Sequence, residues 1–195
     1  MESWEAVPDV ALKAAGPISA AFLRIGIDDF RTAARHVNGL PYGRNLDKGD
    51  PIAVLREGRG TCSTKHALLK RLASSEQGIG IALMIGIYEM TERNTPGVGR
   101  ILARYGLERI PEAHCHMRYR ERRIDVTRSA QGAEEIGRFI HEEEIAPEQV
   151  GEYKVGVHQR FMRQWIEEHR REAGGIEFEE MWRIREECIA ALSGD

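Results

Sequence analysis

The sequence predicts an α+β fold: a helix led by Cys62 packed on a small antiparallel sheet, with further helices towards the C-terminus. Three observations carry this. A glycine-rich approach, Gly58-Arg59-Gly60-Thr61, runs into Cys62 and then into a stretch whose Ala67, Leu68, Leu69, Leu72 and Ala73 supply one apolar helical face. The run 80–90, GIALMIGIYEM, has the continuous apolar character of a buried strand, although periodicity alone does not exclude a helix there. Residues 113–120, AHCHMRYR, and 123–128, RIDVTR, read as two strands joined at Glu121 and Arg122.

The remaining elements follow along the chain. Residues 18–37 read as a helix on Ile18, Phe22, Ile25 and Phe30, weakened by Gly26. Residues 38–51 are rich in Gly, Pro, Asn and Asp and form a loop, and 51–58 a short helix. The Cys-led helix covers 62–75. Residues 91–112, with Pro96, Gly97, Gly99 and Pro111 around a helix-like piece from Val98 to Tyr105, make a loop excursion suited to covering a site. The turn at Glu121-Arg122 lacks Asn-Gly chemistry, which leaves the hairpin register open. Residues 133–143, 157–172 and 177–192 read as helices, with Gly174 and Gly175 punctuating the last two. With no repeat, low-complexity tract or long linker, the 195 residues are expected to form a single domain, 1–195.

Composition narrows the function class. With 42% hydrophobic and 30% charged residues, the chain reads as an ordinary soluble globular protein. A net charge of −3 leaves no bulk electrostatic footprint for nucleic acid or an anionic membrane. The local basic run Arg118, Arg120, Arg122, Arg123 reads as a solvated hairpin. Met1 to Ala15 carries Glu2, Glu5 and Asp9 and does not look like a signal peptide, and the longest apolar run, 79–88, is too short for a membrane span. Three cysteines make no even disulfide framework, so a reducing, cytoplasmic setting is expected, with a thiol available as nucleophile.

Cys62 is the cysteine placed to react. At or near a helix N-terminus its sulfur meets unsatisfied N–H groups and the positive end of the helix dipole, which favour thiolate over thiol. The same N–H groups can stabilise an oxyanion, and Gly60 lets the backbone pass close to a substrate. A thiolate nucleophile needs a proton carrier, and the carrier an orienting partner. His114 and His116 share a strand face, and Asp125 falls near them on the partner strand, its neighbours depending on register. Asn45 and Tyr42, upstream of Cys62, both have donors suited to a second oxyanion contact.

The run GRGTCSTKHALLKRLASSEQGIGIALMIGIYEM resembles the transglutaminase-like superfamily. Its members show Gly-x-Cys at a helix start, small and apolar residues down that helix, then a Gly-Ile step into a strand. The run HCHMRYRERRIDVT resembles the second and third family motifs, a histidine opening one strand and an aspartate followed one residue later by threonine on the next. The resemblance covers about residues 38–128. It implies a papain-like core with a Cys-His-Asp triad: Cys62 as nucleophile, His114 as base and Asp125 as orienting acid. It implies acyl transfer through a thioester acyl-enzyme on a peptide or other amide-containing substrate, with no cofactor and no metal. Hydrolysis, as by a peptidase or amidase, is expected over protein crosslinking, because the chain lacks extra domains to hold two protein substrates. Two departures are plain: His116 stands where the family has an aromatic, and the His114 to Asp125 spacing is short. His114 fits the family alignment, whereas His116 would be nearer Asp125 in a simple tight hairpin.

Simpler roles compete. Cys62 could be a buried small hydrophobe, His114 and His116 ordinary strand residues, and Asp125 a strand-end residue satisfied by local N–H groups. His66, one turn after Cys62, reads as helix packing, and Cys188 as core or interface. Phe161, Met162, Trp165, Met181 and Trp182 pack the C-terminal helices, the sharper alternative being a homodimer interface. Two other function classes remain: an inactive transglutaminase-like binding module, and a zinc site using His114 and His116 with Cys62 or His66 and Asp125.

Overall fold

The computed structural model describes residues 3–127 and 134–193. Among these the fold is α+β, with seven α-helices and a four-stranded antiparallel sheet.

Two helices stand where one was expected. Helix α1, Pro17–Arg24, opens with proline at its first turn, and the Glu76 carboxylate accepts from the backbone N–H groups of Ile18 and Ser19 at 3.0 and 2.6 Å. The chain then leaves the helix through Gly26 at φ 78°, a conformation glycine adopts without steric cost. Helix α2, Phe30–Gly39, restarts behind Asp29, whose side chain accepts from the Thr32 N–H at 2.7 Å. Helix α3, Ala53–Glu57, ends at Gly58 in the left-handed region, φ 64°. Helix α4, Cys62–Arg71, runs on into a wider π-type turn, Leu72–Glu76.

Strand β1 is Ala82–Met90, followed by the short helix α5, Gly99–Arg104, and strand β2, Ile110–Tyr119. Strand β3 is Arg122–Ile124 and strand β4 His141–Glu144. Helices α6, Glu152–Glu168, and α7, Phe178–Ser193, complete the chain. The sheet order is β3-β2-β1-β4. The hairpin register is Met117↔Ile124, Arg118↔Arg123 and Tyr119↔Arg122, with Arg120 at φ 54° in the turn. Pro111 sits near the start of β2, beyond the stretch paired with β3.

Two further expectations are corrected. The helix expected over 133–143 is absent: 134–139 is irregular and 141–144 is a strand, with residue 133 outside the described residues. The Ile140 N–H donates to the Ile87 carbonyl at 2.6 Å and the Ile145 N–H to the Leu83 carbonyl at 2.8 Å, so β1 supplies partners that a helix would have found internally. The strand expected over 123–128 stops at Ile124, with Arg128 outside the described residues. Its next two N–H groups are diverted: Asp125 donates to Ser3 Oγ at 2.6 Å and Val126 to His66 Nε2 at 2.9 Å.

The chain forms two compact units. Unit one comprises Met1–Ile85, Cys115–Ser129 and Glu143–Gly151. In its core, Leu68 and Leu69 of α4 and Leu72 of the π-type turn cluster with Phe22 and Phe30, with Met117 and Ile124 of the hairpin, and with Val126. Unit two comprises Gly86–His114, Ala130–Glu142 and Glu152–Asp195, with a core of Tyr88, Met90, Leu102, Ile110, Met162, Trp165, Met181 and Ile184. Among the described residues no helix is long and apolar enough to cross a membrane.

Candidate functional site

In unit one the approach to Cys62 is built by its own backbone and side chains. A parallel bridge pairs Tyr42 with Gly60, and the Gly60 N–H donates to the Pro41 carbonyl at 3.1 Å. Asn45 clamps this loop to α4: its amide donates to Glu57 at 3.2 Å and to the Arg59 carbonyl at 2.9 Å, while its oxygen accepts from Thr64 Oγ1 at 2.7 Å. Both amide hydrogens are thus engaged, which makes Asn45 a fastener of the loop. Thr61 caps the helix reciprocally with Thr64, giving and receiving at 3.0 and 3.4 Å. Gly60 is small for a local reason: a Cβ there would lie 2.9 Å from Lys65 Cγ, 3.0 Å from Thr64 Oγ1 and 3.1 Å from Val54 Cγ2. Its space is filled by the protein itself.

Cys62 is the first residue of α4 and 6% exposed. The position gives its sulfur the positive end of the helix dipole. One turn on, Lys65 is fully buried, and its ammonium donates to the carbonyls of Leu40 at 2.6 Å and Thr127 at 2.8 Å. Ser63 Oγ lies 3.9 Å from Cys62 Sγ and accepts from the Cys115 thiol at 3.7 Å.

His66 is also fully buried. Its Nε2 accepts from the Val126 N–H at 2.9 Å, so the ring proton sits on Nδ1, which donates to the Cys62 carbonyl at 2.7 Å. Both ring nitrogens are therefore used by backbone, and His66 staples α4 to the chain leaving the hairpin.

Asp125 lies one residue past β3, its side chain 34% exposed. One carboxylate oxygen accepts from the Thr127 N–H at 2.9 Å, a local turn, and lies 3.7 Å from His66 Nε2. Cys115 faces α4, so alternation along β2 turns the next residue, His116, to the other strand face. His116 is fully buried.

His114 belongs to unit two, the last residue of its Gly86–His114 segment. It is buried with its ring edge-on to Tyr88 at 6.1 Å, and the Tyr88 hydroxyl pairs with Thr95 Oγ1 at 3.0 Å. The unit also holds a buried ionic cluster. Arg185 grips Glu112 with two bonds of 2.7 and 2.6 Å, and its remaining arm reaches Glu186 at 2.6 Å. His158 Nε2 donates to the Pro111 carbonyl at 2.9 Å and lies 4.0 Å from Glu112. Burial alone would raise the Glu112 carboxyl, but Arg185, His158 and Lys154 outweigh it and hold its pKa below the usual value. Burial pushes His158 down and the Cys188 thiol up to about 12, the latter aided by Glu112 and Glu187. Met162, Trp165 and Met181 are buried within this same unit.

Lys65, Glu112 and Arg185 escaped the sequence reading, and Asn45, expected as an oxyanion donor, spends its amide on Glu57 and the Arg59 carbonyl. Lys65 lies inside a helical pattern whose polar residues normally face water, and the pairing of Glu112 with Arg185 joins residues far apart in the chain. Among the described residues, no three His, Cys, Asp or Glu side chains are arranged to hold a metal ion. The chain matches no family model, no curated protein and no solved structure.

Proposed function

We propose that the chain is a cysteine-dependent acyl-transfer enzyme, with Cys62 the nucleophile on a papain-like arrangement of a Cys-led helix against antiparallel strands. The observation that supports it is the place of Cys62 as the opening residue of α4, behind a capped, glycine-containing loop and one turn before the buried Lys65. A helix start lowers a thiol's pKa and offers N–H groups to an oxyanion. The packing of α4 against Met117, Ile124 and Val126 is what such a core needs.

The thiolate attacks an amide or ester carbonyl, the carbon–heteroatom bond breaks, the amine or alcohol leaves carrying the proton supplied by the general acid, and a thioester forms on Cys62. Water then attacks the thioester and releases the acid. The base, His114, enters this reading by motif order alone, with Asp125 as its orienting acid.

The test has two stages. Iodoacetamide labelling across pH, mapped by mass spectrometry, is expected to modify Cys62 before Cys115 and Cys188, and Cys62 to show a depressed apparent pKa. An activated ester is then expected to leave an acyl adduct on Cys62 that Cys62→Ala lacks. His114→Ala and Asp125→Asn, folded by circular dichroism, should slow labelling at neutral pH, and His116→Ala should not. A Cys62 that labels no faster than Cys188, with no acyl adduct, overturns the reading and leaves a binding module.

A further inference from the structure

We propose that Cys62 and Cys115 are a redox pair, closed by hydroperoxide into a reversible disulfide that withdraws Cys62 from reaction. Only the consequence, loss of acyl transfer, rests on the function proposed above. The pairing itself rests on geometry within unit one.

Ser63 Oγ lies within hydrogen-bonding reach of both sulfurs, 3.9 Å from Cys62 and 3.7 Å from Cys115. The two thiols thus share one small hydroxyl as a neighbour. Ser63 has a short side chain whose hydroxyl can turn aside as the sulfurs close to about 2 Å. Cys115 points from β2 towards α4, the direction a resolving thiol requires. The two residues are not equivalent: Cys62 has some exposure and the helix-start position, whereas Cys115 is fully buried. Oxidant therefore meets Cys62 first. The third thiol, Cys188, belongs to unit two and is held protonated by its surroundings.

The electrons balance in two steps. The Cys62 thiolate attacks one oxygen of the peroxide, the O–O bond breaks, and sulfenic acid forms as the other oxygen leaves as hydroxide and takes a proton to become water. The Cys115 sulfur then attacks the Cys62 sulfur. The S–O bond breaks, the S–S bond forms, and the departing hydroxide takes the Cys115 proton as a second water. Two thiols lose one electron each, and the peroxide gains both.

The experiment uses the full, reduced chain and hydrogen peroxide at near-stoichiometric dose, with free thiols then alkylated and the protein digested without reductant. Mass spectrometry is expected to find the Cys62 and Cys115 peptides joined, with the loss of two hydrogens, and separated again by dithiothreitol, while Cys188 is recovered alkylated. Cys115→Ala is expected to accumulate sulfinic acid on Cys62 several-fold above the wild type. Sulfinic acid on Cys62 of the wild type without a link, a link that includes Cys188, or three unmodified thiols would each overturn the pairing. The wild-type map decides the matter even if Cys115→Ala does not fold. Failure of the two ideas is separable: an acyl adduct on Cys62 without a disulfide removes the redox pair, and a disulfide without an acyl adduct removes the enzyme.

Discussion

His66 Nδ1 donates to the carbonyl of Cys62, one helical turn earlier, at 2.7 Å, while its Nε2 takes the Val126 N–H at 2.9 Å. A histidine beside a candidate nucleophile invites a catalytic role. These two bonds give it a structural one, because an imidazole spent on two backbone groups has no nitrogen left for a proton relay.

His66→Ala should therefore destabilise unit one, by about 2–4 kcal/mol, since two buried backbone groups lose their partner. Urea denaturation measures this. The apparent pKa of Cys62 labelling should stay unchanged in whatever fraction remains folded. A large shift in that pKa without loss of stability would make His66 part of the reaction.

Gly60→Ala tests the packing behind the nucleophile. The added methyl would press on Lys65, Thr64 and Val54 at about 3 Å, two of them α4 residues. A cost of about 1–3 kcal/mol is expected from overpacking. A thermal melt reads it, and an unchanged melting temperature would mean that the loop shifts freely.

The Glu112–Arg185 pair predicts an asymmetry. Arg185→Met leaves a buried carboxylate without its bidentate partner and should cost about 3–5 kcal/mol. Adding Glu112→Leu to that variant should recover much of the loss, because the uncompensated charge is gone. Denaturant melts of the single and double variants settle it. A double variant no better than Arg185→Met would mean that the pair does more than neutralise itself.

His158 gives unit two a pH dependence of defined sign. Its pKa is lowered in the folded protein, chiefly by burial, with Glu112 opposing and Arg185 and Lys154 adding to the fall. The unfolded chain therefore takes up a proton at higher pH than the folded one. Stability should hold above the ordinary histidine range and fall as pH drops from that range towards the folded pKa. Glu112, also lowered, extends the loss to more acidic pH. Melting temperatures from pH 8 to 5 should decline less steeply in His158→Gln than in the wild type. Equal slopes would show that His158 does not carry the effect.

Much of this fold could be read from the residues, for identifiable reasons. Strand β1 is an almost continuous apolar run, and behind its glycine-rich approach the Cys-led helix shows its apolar face at Ala67, Leu68 and Leu69. Strand β4 was not legible. His141–Glu144 is acidic and half exposed, so its local pattern resembles a charged helix, and only the waiting carbonyls of β1 make it a strand. The early end of β3 was hidden likewise, because Ser3 and His66 compete for its N–H groups from distant parts of the chain. At the candidate site, Cys62 was legible because a helix start is a local event. The turn made by Asp125 with Thr127 was one of two local outcomes the sequence allowed. Nothing in the spacing announced that Lys65 would be buried.

Neither unit is a continuous stretch of chain: each is assembled from three segments interleaved along the sequence. During synthesis, α4 emerges before Met117, Ile124 and Val126, the residues that cover its apolar face. Leu68, Leu69 and Leu72 must wait for them, and unit one is complete only once Gly151 has left the ribosome. Cutting the gene after β1 or after β2 would therefore yield no self-sufficient fragment. The nascent chain, with its thiol already made and its helix uncovered, is the form most in need of a chaperone.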